Sequence, residues 1–142
     1  MKTFYHCLIM WIPFIVLFAL AGFGLEVLEG RKIRTSEYMT GFRDLGVGYM
    51  FLMGSFAFIL YPISFLPLTF IVSRFMKNWL FKVVTFTLFG GAIGAFSFVI
   101  IYDSRFIEEY NLSIINSMLI FGIASLLYAL VENAVKKNIK FV

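Results

Sequence analysis

The chain is 142 residues long, 61% apolar and only 14% charged, with a net charge of +4. Soluble domains average about 45–50% apolar and about 25% charged residues, and a mean hydropathy of +0.93 leaves too much apolar surface for a water-exposed exterior to hide. An ordinary soluble domain is excluded, and so is an intrachain disulfide, because Cys7 is the only cysteine.

Stretches without Asp, Glu, Lys or Arg cover 3–25, 45–73, 83–102 and 110–131, which are 23, 29, 20 and 22 residues long. A helix rising about 1.5 Å per residue crosses a hydrocarbon core about 30 Å thick in roughly 20 residues. The pattern predicts an all-α integral membrane protein. One domain, 1–142, holds four transmembrane helices at approximately 5–26, 47–71, 81–102 and 113–134. A β-barrel would alternate apolar and polar side chains in segments of roughly ten residues; FSFVII and LIFGIASLLYAL do not.

The first stretch follows Lys2, but its apolar run exceeds the about 7–15 residues of a signal peptide, and AGFGLEVLEG is a poor processing site. It is expected to stay as the first span. His6 and Cys7 are adjacent, yet structural zinc usually needs four ligands and catalytic zinc three, so neither a metal nor a cofactor is expected. Trp11 lies too deep for an interfacial belt unless the helix starts late. Glu26 falls at the outer edge of this span. Residues 26–44 set Arg31, Lys32, Arg34 and Arg43 against Glu26, Glu29, Glu37 and Asp44. Asp44 is placed to cap the second helix, and Glu37, Arg43 and Asp44 would form a polar rim.

The second span contains YPISFLPLTF. Proline lacks an N–H and clashes with the preceding turn, so Pro62 is expected to bend the helix and Pro67 to mark its inner exit or a final bend. The carbonyls so freed are natural acceptors for Tyr128 or Glu132, provided the second and fourth spans meet at that depth. Arg74, Lys77 and Lys82 follow without an acid. In the third span, GGAIGAF spaces Gly90 and Gly94, and Gly91 and Ala95, four apart. Such pairs let two backbones approach closely, either within one chain or at a homodimer seam. Trp79 and Tyr102 bracket the span.

Before the fourth span, DSRFIEEY sets Arg105 against Asp103, Glu108 and Glu109. In SLLYALVENAVKK, Tyr128 and Glu132 share a face, with Asn133 beside them. An ionisable group at membrane depth is a functional candidate by default. Glu132 has Lys136 one turn on, Tyr61 as a partner across helices, or a coupling role as alternatives. Asn116 and Ser117 form a second polar patch. With both termini cytoplasmic, the inner side carries seven Lys/Arg and the outer side five, in the sense of the positive-inside bias.

YPISFLPLTFIVSRF and FGIASLLYALVENAVKK resemble a family of small, uncharacterised multi-span membrane proteins of Bacillus and its prophages, through Tyr61, Pro62, Pro67, Ser73, Arg74, Tyr128, Glu132 and Asn133. The resemblance implies a multi-pass protein of the bacterial plasma membrane and brings no catalytic mechanism. No HExxH, phosphate loop or CxxC occurs. The expectation is a non-enzymatic accessory or protection protein, working through helix–helix or peptide contacts with a membrane partner or a second copy of itself. The dispersed basic residues do not suit nucleic acid. The alternative is a small oligomeric transporter or channel with Glu132 or Glu26 as its ionisable coupling group.

Overall fold

The computed structural model describes residues 2–34 and 45–139; the expected roles of Glu37, Arg43 and Asp44 lie outside the described residues. Among the described residues four helices are long and apolar enough to cross a membrane: Phe4–Ile33, Gly48–Phe75, Trp79–Ile101 and Ile114–Asn138. No strand occurs among the described residues. Between 28 and 39% of each span is buried, so most of its surface faces outward. That surface is apolar, carrying for example Ile12, Phe51, Leu88 and Ile123, as a lipid environment requires.

The first span is built from α1 (Lys2–Leu25), one π-helical turn (Glu26–Gly30) and α2 (Arg31–Arg34). The Arg31 N–H reaches back five residues to the Glu26 carbonyl, widening the turn so that Glu29 and Gly30 both face inward. The second span runs through α3 (Leu45–Leu60), a second π turn (Tyr61–Phe65) and α4 (Leu66–Phe75). Its helix does not exit at Pro67. Pro67 instead lies two residues past the π turn, inside a helix that runs on to Phe75.

Pro62 leaves unpaired the carbonyl four residues earlier, that of Phe58. Trp11 answers it: its indole N–H donates to the Phe58 oxygen at 3.2 Å, and its ring stacks on Phe58 with centroids 4.6 Å apart. The depth of Trp11, wrong for a belt residue, is right for this bond.

The third span is α5 (Trp79–Ile101), whose start is capped by Asn78 Oδ1 accepting from the Leu80 N–H at 3.1 Å. A short helix, α6 (Ser104–Glu109), follows. It ends with Asn111 in the left-handed region (φ 49°) and the Leu112 N–H bonded to the Ile107 carbonyl at 3.1 Å, a Schellman turn that aims the chain into α7 (Ile114–Ile139).

α1 packs against α3 and α7, and α5 runs along α7. One stripe of α1, comprising Met10, Phe14, Phe18, Ala21 and Leu25, fills the centre. Phe14 and Phe18 stack at 4.0 Å, Phe18 meets Phe121 at 5.5 Å, and Phe65 ties the second span to Phe86 of α5 at 6.0 Å.

The glycine pair of α5 is consumed inside the chain. A Cβ on Gly94 would lie 2.6 Å from the Ser117 carbonyl oxygen and 2.9 Å from Phe121 Cβ, and one on Gly90 would overlap the Ser125 side chain. The Ser117 hydroxyl donates to the Gly94 carbonyl at 2.7 Å across this seam. Gly91 is looser, its Cβ position 3.7 Å from the Met118 oxygen, and Ala95 is half-buried. We expect Gly90→Leu and Gly94→Leu each to cost about 1–3 kcal/mol or more through overpacking. Gly91→Ala should stay within about 0.5 kcal/mol of the parent. Unfolding by SDS in mixed micelles measures all three, and equal costs would contradict the seam.

Candidate functional site

Polar side chains gather at both ends of the α1–α7 pair. At the end formed by the start of α1 and the end of α7, His6 Nε2 meets Glu132 Oε1 at 3.2 Å, and Ser73 Oγ donates to the same oxygen at 3.2 Å. Glu132 is 2% exposed and His6 6%. With Glu132 ionised, Nε2 carries the proton and donates, leaving Nδ1 buried without a hydrogen-bond partner. The two partners suggested by the sequence are not the ones Glu132 bonds: Lys136, with Lys82, acts on it through space, and Tyr61 is engaged elsewhere.

Tyr61 donates to the Cys7 carbonyl at 2.7 Å and lies 3.3 Å from the Tyr128 hydroxyl, which lies 3.0 Å from Thr69 Oγ1. Tyr61 has one proton and spends it on Cys7, so Tyr128 must donate to Tyr61 and Thr69 to Tyr128. The result is a one-way chain through the first, second and fourth spans. Thus the second and fourth spans do meet near the π turn, and Tyr128 finds side chains there rather than a carbonyl freed by proline. Ser64 Oγ instead serves the Leu60 carbonyl, at 2.6 Å. Asn133 lines a cleft together with Ser73, Met76, Lys77, Lys82, Lys136 and Lys137.

At the opposite end Glu29, 0% exposed, accepts from the Ser113 N–H at 2.9 Å, from Lys32 Nζ at 2.8 Å and from Asn116 Nδ2. The carboxylate sits at the N-terminus of α7, where free N–H groups and the helix dipole favour negative charge. Glu26 accepts from the Tyr102 hydroxyl at 3.2 Å; burial, helped by the nearby Glu26 charge, pushes that phenol above its ordinary value.

The two ends are separated by packed rings. On the α1 stripe, Phe14, Phe18, Ala21 and Leu25 stand between Cys7 and Glu29, all buried. Among the described residues no group of three or more His, Cys, Asp or Glu could hold a metal ion. The chain matches no protein-family model, curated protein or solved structure in comparisons with each.

His6, Thr69 and Glu29 escaped the sequence reading. In the sequence His6 reads only as a metal ligand beside Cys7, and Glu29 as one acid of a charge-balanced loop. A mid-span threonine carries no signal of its own. The available clue was that His6 and Glu29 are spaced to lie on the α1 stripe that carries Met10, Phe14, Phe18 and Leu25.

Breaking one partner of a buried charged pair strands the other, whereas replacing both with apolar groups costs less. In a double-mutant cycle on His6→Leu and Glu132→Leu, we expect the double variant to be more stable than the sum of the singles predicts, by at least about 1 kcal/mol. Additive losses in SDS unfolding would mean that the two side chains do not interact.

Proposed function

We propose that the chain is a non-enzymatic accessory or protection protein of the bacterial plasma membrane, with both termini in the cytoplasm, acting through contact with a transmembrane helix of a partner. The observation that carries this reading is an unused small-residue surface. Gly22, Gly90 and Gly94 are filled by helices of the same chain, but a Cβ on Gly54 would meet nothing within 4 Å. Gly54 and Ser55 line an apolar groove of about 680 Å³ between α1 and α3, with Ile15, Val16, Phe51 and Phe58 as walls. Without hydrophobic exclusion between helices in lipid, close approach at small residues is a main source of association, and a groove of this kind suits a helix edge. The bacterial location rests on the resemblance of YPISFLPLTFIVSRF and FGIASLLYALVENAVKK, and the orientation on the lysine-rich connection and tail.

A second reading, a small oligomeric transporter, is favoured by one feature: the His6–Glu132 pair is ionisable and sits at membrane depth. Against it, the ring-packed centre leaves the polar groups at the two ends unconnected within one chain.

Photocrosslinkers at Phe51 or Phe58, flanking the groove, and at Leu88, on the far face of α5, separate the readings in native membranes. A single protein adduct from the groove positions, absent from Leu88 and lost in Gly54→Leu while the protein stays folded, is the expected result. Lipid adducts alone from both faces would overturn the accessory reading. Substrate or proton flux in proteoliposomes that Glu132→Gln abolishes would establish the transporter instead.

A further inference from the structure

A second concavity lies at the end of the molecule where α4 stops, α5 begins and α7 reaches its last turns. It holds about 340 Å³, near the lower bound for small-ligand sites, and brings together Lys77, Lys82, Lys136 and Lys137 with Ser73 and Asn133. These residues come from three helices and a connection, so the fold, not local sequence, gathers them. Lys82 and Lys136 are half-buried and face each other closely enough to repel. Glu132, the carboxylate that Lys82 and Lys136 act on, is bonded to His6 and Ser73. Among the described residues no carboxylate lies within 4.0 Å of any of the four ammonium groups. Four cations against one buried anion form a site with an unmet need for negative charge. The start of α5, next to Lys82, adds the positive end of its dipole.

We propose that this cleft binds the phosphate headgroup of an anionic phospholipid. Lys82 and Lys136 would clamp the phosphate oxygens, Asn133 would supply an amide donor, and Lys77 and Lys137 would close the rim. A lipid fits better than free phosphate because the cleft lies at the ends of spans, at headgroup depth. At the same end of the molecule Ile71 and Phe75 on α4 and Leu80 and Phe81 on α5 are all more than half exposed, an apolar surface for acyl chains. Arg74, exposed at the same end, does not line the cleft. The inference needs the four-span fold but not the accessory role, so the two can fail separately.

The test is lipid retention by the full chain in nanodiscs of phosphatidylcholine with a minor fraction of phosphatidylglycerol, read by native mass spectrometry after extraction. We expect bound phosphatidylglycerol, with Lys82→Gln and Lys136→Gln each weakening it about tenfold and Arg74→Gln weakening it less than about threefold, a loss of about 0.7 kcal/mol that lies within a diffuse surface attraction of about 1 kcal/mol per cation. Equal losses in all three variants would overturn the cleft, leaving only a basic surface. Displacement of the lipid by millimolar inorganic phosphate would overturn the lipid source. Should the glutamine variants fold poorly, wild-type thermal stability decides. Phosphatidylglycerol must raise Tm above that in phosphatidylcholine; an unchanged Tm contradicts the site.

Discussion

The antiparallel pairing of α1 with α7, tied at both ends by a buried carboxylate, is the contact on which the rest of the bundle depends. At one end the His6 imidazole of α1 meets the Glu132 carboxylate of α7; at the other Glu29, in the π turn that follows α1, takes the Ser113 N–H and the Asn116 amide at the start of α7. Both carboxylates are buried, Glu132 at 2% and Glu29 at 0% exposed, so each depends on its protein partners. Between the ties the stripe from Met10 to Leu25 is apolar, so sliding α1 along α7 by one turn would strand two carboxylates at once. The register is thereby set. The second span then packs on α1 and α5 on α7, each through its own device: Trp11 reaching the Phe58 carbonyl, and glycines admitting Ser117 and Ser125.

The same constraint explains the irregular backbone. Each π turn holds a side chain that a neighbouring helix engages. In Glu26–Gly30 Glu29 meets the start of α7, and in Tyr61–Phe65 Tyr61 meets Cys7 and Tyr128 beside Pro62. π turns inside helices recur at functional positions; here both carry the interhelical hydrogen bonds. The proline at 62 and the tryptophan at 11 act as a matched pair, one removing a donor and the other restoring it.

The four spans were legible because charges are excluded from lipid, and the gaps between charged residues therefore outline the helices. The Gly90–Gly94 spacing was equally plain, since four residues is the repeat of one helix face, although the sequence could not say whose helix filled it. The polar ties were not legible. The links from His6 to Glu132 and from Glu29 to Ser113 span most of the chain, and a charge tally treats Glu29 as one of four acids balancing four bases. Nor does composition reveal a π turn. It shifts the register by one residue and carries the first helix past Glu26, where a count of uncharged residues ends.

A protein held this way has its ionisable groups engaged in holding it together, which suits a scaffold offering outer surfaces, the groove at Gly54 and the lysine cleft, more than a carrier that must open its core. Cys7 reports on that difference directly. It is 2% exposed, the only cysteine in the chain, and its carbonyl terminates the Tyr61–Tyr128 chain. Labelling of the folded protein in sealed liposomes with a membrane-impermeant maleimide measures whether water reaches the polar cluster at that end. The account predicts no reaction until SDS unfolds the protein. Prompt labelling in the native state from either side would mean a water-filled crevice at the polar cluster, and would contradict the closed bundle.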